Sequence, residues 1–229
     1  MLKRLSVANI ELSLYKEGIK QVKEALAIYE RLGQVWGQAD SWRFLVILLR
    51  MEERFNEAEE AASRALDMLP DKGEEFLVCQ FHRVLGGIYI SKKEGEKAIH
   101  HFMEALGIAS TFGWEQELFL INDSLAQLFL SQEKFDDAND HIERAKSHVS
   151  CDEYNLGCAM KMQAEIWYRQ NRLKEASFEA LGALEIYEKL GASEDMKRCK
   201  DLLRDIGRDG KLLEKVRYFL QLLTTVSPT

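Results

Sequence analysis

Five histidines are the side chains of this sequence best suited to bind a metal or to carry a proton. His101 and His141 lie 40 residues apart, and His148 follows His141 by seven. If 40 residues form one structural unit, equivalent side chains on stacked helices lie ~10 Å apart, too far to share a metal. We therefore expect these three to be solvated surface histidines, with no metal site. His82 faces the packing side of its predicted helix and is expected to be at least half-buried.

Carboxylates are numerous, with 38 Asp and Glu side chains, but their spacing follows the outer faces of predicted helices. The sequence has no Gly-Lys-Ser/Thr phosphate loop, no His-Glu-x-x-His, no Gly-x-Ser-x-Gly and no paired-cysteine zinc motif. A nucleophile needs an adjacent base, and a metal needs a set of ligands. The sequence therefore predicts no enzymatic activity and no cofactor.

Composition excludes further classes of function. A formal net charge of −7 disfavours a nucleic-acid partner, which would need a clustered basic face. No apolar run approaches the ~20 residues of a membrane span, and the N-terminus lacks the apolar stretch of a signal peptide. Cys79, Cys151, Cys158 and Cys199 show no CxxC spacing, so we expect reduced thiols, as is typical of a cytoplasmic protein.

Small residues recur along the chain at a nearly constant interval. Gly18, Ala58, Ala98, Ala138 and Ala176 are separated by 40, 40, 40 and 38 residues, and alanine follows each of them seven residues later. Within one repeat, the segments FHRVLGGIYI and GEKAIHHFMEALGIA both place apolar residues on one side of a helix. Each repeat is therefore predicted to be a helical hairpin that buries its apolar face against neighbouring repeats.

The second repeat carries a complete motif, Leu-Gly-x-x-Tyr followed by Ala-x-x-x-Phe-x-x-Ala. Its residues are Leu85, Gly86, Tyr89, Ala98, Phe102 and Ala105. On this motif the chain resembles the tetratricopeptide repeat family from residue 15 to residue 192, although the period is 40 rather than the usual ~34. The longer period is similar to that of kinesin light chains, bacterial peptide-sensing regulators and the sensor arrays of NACHT/STAND-type NTPases. The resemblance implies an all-α fold, a right-handed superhelical solenoid of stacked antiparallel helical hairpins.

Repeat phase divides the chain into three predicted regions. Residues 1–38 are predicted to be an N-terminal partial repeat, in which the segment before Tyr15 is the remnant of an earlier first helix. Residues 39–192 are predicted to form four hairpins, and residues 193–229 to form C-terminal helices. Apolar residues recur in helical phase within 211–229, so we expect this part either to cap the array or to self-associate as a homodimer.

The small residues of the second repeat are predicted to mark close helix crossings. We expect Gly86 and Ala98 to let the two helices of one hairpin touch, and Ala105 to let the first helix of the next repeat cross. Leucine at either alanine would overpack such a crossing.

The resemblance also implies a concave binding groove along the first helices of the hairpins. The matching positions are Arg43, Ile47, Arg50, Gln80, Arg83, Gly87, Ile90, Asp123, Gln127, Leu130, Lys161, Glu165 and Tyr168. The three arginines make the N-terminal half basic, while Ile47, Gly87 and Ile90 are expected to leave an apolar, open floor. The alternative is that the arginines only pair with neighbouring carboxylates.

Two hypotheses for function follow. The first is a non-enzymatic scaffold that binds a protein or peptide in the groove, where the ligand is acidic and has an apolar anchor. The second is a sensor or self-association module of a larger signalling protein of the NACHT/STAND type, acting through residues 211–229.

Overall fold

The computed structural model describes residues 2–69, 74–149 and 152–209 of the chain, with side chains described from residue 14 to residue 207. These residues form ten α-helices and no strand. The helices are α1 (Leu2–Leu32), α2 (Val35–Met51), α3 (Phe55–Met68), α4 (Glu75–Ser91), α5 (Gly95–Phe112), α6 (Glu115–Ser131), α7 (Phe135–Ser147), α8 (Glu153–Arg169), α9 (Leu173–Leu190) and α10 (Ser193–Asp209). The all-α class predicted from the sequence is confirmed.

Two compact units make up the chain. Unit 1 spans Met1–Trp114 and contains α1 to α5, and unit 2 spans Glu115–Thr229 and contains α6 to α10. Unit 1 holds the hairpins α2/α3 and α4/α5, and unit 2 holds α6/α7 and α8/α9, followed by α10 packed on α9. None of the described helices is long and apolar enough to cross a membrane.

The N-terminal region differs from the predicted organisation. α1 is one unbroken helix of 31 residues, so no turn separates the expected helix remnant from Tyr15. The first hairpin begins at Val35, four residues before the predicted start of the four-hairpin region at residue 39.

The same backbone turn closes all four hairpins. After each first helix a non-glycine residue adopts a left-handed conformation, at φ 59°, 61°, 59° and 59°. These residues are Glu53, Lys93, Glu133 and Asn171. In the first turn, the amide of Arg54 donates to the carbonyl oxygen of Leu49 at 2.9 Å, and an equivalent bond closes each of the other three. This pattern of a Schellman motif satisfies carbonyls that the helix end would otherwise leave without a donor.

Glycine ends α1, α5 and α9 instead. Gly33, Gly113 and Gly191 have φ of 65°, 65° and 69°, a conformation that glycine adopts without a steric penalty. In the sequence, a glycine at the end of a helical segment predicts such a C-terminal cap, and the structure confirms the prediction at these three positions. The fourth predicted cap, Gly73, lies outside the described residues.

The small residues of α4 and α5 lie where these two helices touch. Gly86 is buried in close contact with the ring of Phe102. A Cβ on Gly86 would stand only 2.7 Å from the ring carbon Cε1. Ala98 and Ala105 are completely buried. The thiol of Cys79 donates to the carbonyl oxygen of Ala105 at 3.4 Å, so Ala105 contacts the first helix of its own hairpin. The prediction had assigned this close approach to the next repeat.

At the end of unit 2, α10 covers the hairpin that precedes it. Cys199 and Leu203 are completely buried and belong to one apolar cluster with Leu184 and Tyr187 of α9. The sequence analysis expected the C-terminal segment 211–229 either to cap the array or to self-associate. This segment lies outside the described residues, so the expectation stays a prediction.

Candidate functional site

The predicted groove residues of unit 1 lie on one face of α2 and on the equivalent face of α4, which we call the unit 1 surface. On α2 they are Arg43, Ile47 and Arg50, and on α4 they are Gln80, Arg83, Gly87 and Ile90. Steps of three and four residues place them in a row along each helix. Arg50 is exposed and the other six are half-buried.

Arg50 joins the two helices of this surface. A Cβ on Gly87 would stand 2.8 Å from Nη1 of Arg50, so the guanidinium fills the space above the glycine. Partial desolvation of the guanidinium and the charge of Arg83 both lower the pKa of Arg50. Two like charges therefore lie close together. The sequence predicted an apolar, open floor at Gly87. In the structure the Arg50 guanidinium covers this glycine, so the surface there is cationic.

Arg43 pairs with a neighbouring carboxylate, which is the alternative that the sequence analysis left open for the arginines. Its Nη2 lies 2.6 Å from Oδ1 of Asp40, and its guanidinium carbon lies 4.6 Å from the ring centre of Phe44. Since both partners of the ion pair are partly exposed, its contribution to stability is at most ~1 kcal/mol. Arg50, by contrast, forms no ion pair with a carboxylate among the described residues. It is therefore the cation best placed to meet a ligand.

Two aromatic side chains, Trp36 and Phe76, extend the unit 1 surface. Trp36 and Phe76 precede Arg43 and Arg83 by seven residues and are 56% and 39% exposed. They line a cleft of about 490 Å³ between the starts of α2 and α4. The Phe76 ring is held edge-on to Trp114, with 4.9 Å between ring centres. The 40-residue spacing between Trp36 and Phe76 is the signal that could have found this pair in the sequence.

In unit 2, the predicted residues of α6 and α8 form a separate surface of mixed charge. Asp123 accepts a hydrogen bond from Nε2 of Gln127 at 2.7 Å. Burial raises the pKa of Asp123, while that hydrogen bond and the charge of Lys161 oppose the rise. Asp123 and Lys161 are thus close enough to interact, and together they add little net charge to the surface.

The remaining predicted residues of α8 face α10. Lys161, Glu165 and Tyr168 line a cleft of about 370 Å³ together with Arg198 and Asp201 of α10. Basic and acidic groups alternate around this cleft, so it does not select ligands by the sign of their charge.

Leu130 is the predicted groove residue that the structure buries. It is 6% exposed and belongs to an apolar cluster with Ala126, Ala138 and Ile142. The prediction that Leu130 faces an open groove is therefore wrong: its side chain contributes to the core between α6 and α7.

The histidines are not solvated as expected, because His101 and His141 are half-buried and hydrogen-bonded. Nδ1 of His101 lies 3.1 Å from Nδ1 of His82, and its ring stacks on Tyr89 with 5.3 Å between centres. The third repeat has the same arrangement, in which Nδ1 of His141 lies 2.9 Å from Oδ1 of Asn122 and the ring stacks on Phe129.

These contacts join the two helices of each hairpin. No group of three or more His, Cys, Asp or Glu side chains in the described part of the chain is arranged to hold a metal. Cys79, Cys158 and Cys199 are free thiols, and burial raises the pKa of Cys199 to about 11. A thiol with a raised pKa is a poor nucleophile at neutral pH. Cys151 lies outside the described residues.

We expect the His82–His101 pair to make the protein less stable in mild acid, by ~1 kcal/mol. Burial, with the charges of His82 and His100, lowers the pKa of His101 to about 4, and burial also lowers the pKa of His82. Glu59 and Glu104 act in the opposite direction on His101. The unfolded chain therefore takes up protons first, and the stabilisation present above pH ~6.5 is lost as the pH falls towards 4.

Urea unfolding at pH 7 and pH 4.5, compared between the native chain and His82→Asn, measures this effect. The variant copies the Asn122–His141 pair of the third repeat, so it should keep the hydrogen bond and lose less stability in acid. The same loss in both proteins would contradict the assignment.

Comparison with known proteins identifies the type of fold. No protein-family model matches the chain. The chain is similar to the protein KINESIN LIGHT CHAIN-RELATED 3 of Arabidopsis thaliana, with 25% identity over 184 residues that cover 77% of the chain. It spans only 27% of the length of that relative.

Two solved structures are similar to this one. BtubC (BKLC) from P. vanneervenii superposes with a TM-score of 0.70 and 17% identity, covering 94% of both chains. A Rap protein, solved in complex with competence and sporulation factor, superposes with a TM-score of 0.62 and 14% identity, covering 87% of this chain and 60% of that one. At these identities the likeness shows the fold, and it confirms the tetratricopeptide-like helical repeats predicted from the sequence.

Proposed function

We propose that this chain is a non-enzymatic scaffold that binds a protein or peptide segment along the unit 1 surface. The observation that carries the proposal is the Arg50 guanidinium, which lies over Gly87 and close to Arg83 without an ion pair to any described carboxylate. Helical repeat proteins of this type generally mediate protein interactions. The similar Rap protein was solved in complex with competence and sporulation factor, which lends support to a bound ligand on this fold.

The charge of the surface indicates the chemistry of the ligand. An arginine fork binds a carboxylate through two parallel hydrogen bonds. We therefore propose a ligand with Asp or Glu opposite Arg50.

An apolar anchor on the same ligand would bind at the other end of this surface. The floor at Gly87 is covered by Arg50, so the anchor would lie in the cleft between Trp36 and Phe76 rather than over the glycine. Eleven residues separate Phe76 from Gly87, over which the Arg50 guanidinium lies, and this corresponds to ~16 Å along α4. An extended peptide covers this distance with about five residues.

Selection of random peptides on the immobilised chain, followed by titration of the selected peptides, tests this proposal. Peptides rich in Asp, Glu and apolar residues are expected, with affinity that falls as salt rises. The Arg50→Glu/Arg83→Glu variant should bind them ~30-fold more weakly or worse, which corresponds to ~2 kcal/mol.

Two controls make the test specific. Arg144→Glu makes the same reversal of charge at an exposed position on α7 and should leave the affinity unchanged. Lys161→Glu, on the mixed surface of unit 2, should cost less than the double variant. If the double variant binds as tightly as the native chain, recognition lies elsewhere on the molecule.

The three free thiols support a cytoplasmic location as part of this proposal. The second hypothesis, a sensor or self-association module acting through residues 211–229, concerns a segment outside the described residues and stays a prediction.

A further inference from the structure

A second cleft of unit 1 lies away from the proposed ligand surface, between α1, α2 and α3. Its volume is about 410 Å³. The floor is apolar and consists of Leu26, Trp42, Leu45, Leu49 and Ala61. Trp42 is half-buried, so part of the indole remains accessible in the cleft.

The next repeat shows what fills the same space when it is occupied. Residues 40 positions later than Trp42, Leu49 and Ala61 are His82, Tyr89 and His101. There the His101 ring stacks on Tyr89 with an angle of 6° between planes.

The third repeat fills this space with the same kind of pair. Its equivalents of Leu49 and Ala61 are Phe129 and His141, whose rings stack with 5.4 Å between centres. The first repeat lacks both rings because Leu49 and Ala61 replace them. Its cleft is therefore the space that an aromatic pair occupies in the two repeats that follow.

Hydrogen bonding in the second repeat indicates the polar chemistry of a matching ring. The Tyr89 hydroxyl donates to Oε1 of Glu59 at 2.7 Å, while Nδ1 of His101 is bonded to a second imidazole. Both rings thus present a flat apolar face and a polar edge. At the rim of the empty cleft, Glu57 and Glu60 are bound to Arg54 and Arg64, each at 2.7 Å.

One carboxylate on that rim can accept a hydrogen bond from a ligand. Glu30 is exposed, and its carboxylate has no hydrogen bond or ion pair to any other residue in the described part of the chain. A ring whose edge carries an O–H or N–H could donate to it, as Tyr89 donates to Glu59 in the second repeat.

We propose that this cleft, which we call the Trp42 cleft, binds one aromatic side chain of a partner protein, a tyrosine or a histidine. The face of the ring packs on Trp42 and Leu49, and its O–H or N–H donates to Glu30. The site is distinct from the unit 1 surface, since its α2 residues, Trp42, Leu45 and Leu49, lie on a different face of that helix from Arg43, Ile47 and Arg50. The chain would then recognise protein through two separate surfaces of unit 1.

Titration with 4-methylphenol and 4-methylimidazole, side-chain analogues of tyrosine and histidine, is the first test. The indole N–H resonance of Trp42 should shift in a saturable manner on adding either compound. Ala61→His places the imidazole of the later repeats in the cleft and should weaken binding at least ~10-fold, because the ring's apolar area is then already buried. Binding unchanged by Ala61→His, or no shift at Trp42, overturns the proposal.

A gain-of-binding variant in the second repeat provides the matched control. His101→Ala recreates the small residue of the first repeat and should open a second site, detected as a second set of shifting resonances around Tyr89. If His101→Ala does not fold, its loss of near-ultraviolet dichroism will show it, and the Ala61→His result stands alone. A folded His101→Ala protein that gains no site contradicts the equivalence of the two spaces.

A third experiment determines whether the aromatic ring belongs to a protein partner or to a small compound. Peptide selection is carried out on the Arg50→Glu/Arg83→Glu chain, which disables the unit 1 surface, with counter-selection on the same chain carrying Ala61→His. Enrichment of peptides that contain Tyr or His, and loss of binding when that residue becomes Ala, supports a protein partner. Binding of free rings with no enriched peptide overturns the protein partner and leaves a site for a small aromatic compound.

Discussion

Replacing Gly86 by alanine is expected to destabilise the protein by ~1–3 kcal/mol, against the ordinary order of helix propensity. In a helix interior, alanine is usually more favourable than glycine by about 1 kcal/mol. At this position, however, the added Cβ would stand 2.7 to 2.8 Å from three carbons of the Phe102 ring. The ring is 1% exposed and packed on every side, so it has no room to move away.

The other repeats show how this clash can be relieved. At the position equivalent to Gly86, the third repeat has Ala126, and its partner at the position of Phe102 is Ile142. Both are completely buried within one cluster. A larger residue on the first helix thus accompanies a smaller one on the second.

The double variant Gly86→Ala/Phe102→Ile tests this compensation. Gly86→Ala should be neutral or stabilising in the Phe102→Ile background, so a double-mutant cycle by urea unfolding should show a coupling of ~1–3 kcal/mol. Gly107→Ala is the control, because a Cβ there would have no atom within 4 Å and only the propensity gain remains. Stabilisation by both glycine replacements would contradict the packing described for Gly86.

Ala98→Leu and Ala105→Leu are each expected to destabilise the chain by ~1–3 kcal/mol. Both alanines are completely buried, and the carbonyl oxygen of Ala105 already accepts a hydrogen bond from Cys79 of α4. Three additional carbons can enter only if α4 and α5 move apart.

The matched control for this pair is Ser110→Leu, at an exposed position of the same helix. It should change stability by less than ~0.5 kcal/mol. Thermal and urea unfolding of the three variants provide the comparison. Equal effects at Ala98 and Ser110 would show that the helical register assigned to α5 is wrong.

Periodicity made much of the fold predictable. The apolar face of a helix repeats every three or four residues, and small residues mark helix contacts, so both helices of each hairpin could be located from the sequence. The caps at Gly33, Gly113 and Gly191 follow from the same logic, because a left-handed residue favours glycine. The non-glycine left-handed residues, such as Lys93, could not be predicted, since their conformation depends on the bonds that close the turn.

The candidate site was less predictable, because it depends on where long side chains of neighbouring helices end. Spacing placed Arg50 and Gly87 on facing rows, but only the structure shows the guanidinium over the glycine. The helical periodicity of the sequence places Leu130 on the side of α6 that was predicted to face the groove. In the structure, however, its side chain is buried with residues of α7. The pairing of His101 with His82 likewise depends on the distance between α4 and α5.

The compensation between Gly86 and Phe102 also limits how such a chain can be rearranged. Because both partners belong to the hairpin α4/α5, a duplication or exchange with boundaries between hairpins transfers the pair intact. A recombination boundary within the turn after Ser91 would instead join α4 to the second helix of another repeat. Gly86 would then face Ile142 or Ala180, the residues at the position of Phe102, and a void would replace the ring. The segment that can be duplicated or exchanged with its packing intact is therefore the whole hairpin. The chain can lengthen or shorten without losing this packing only by whole hairpins.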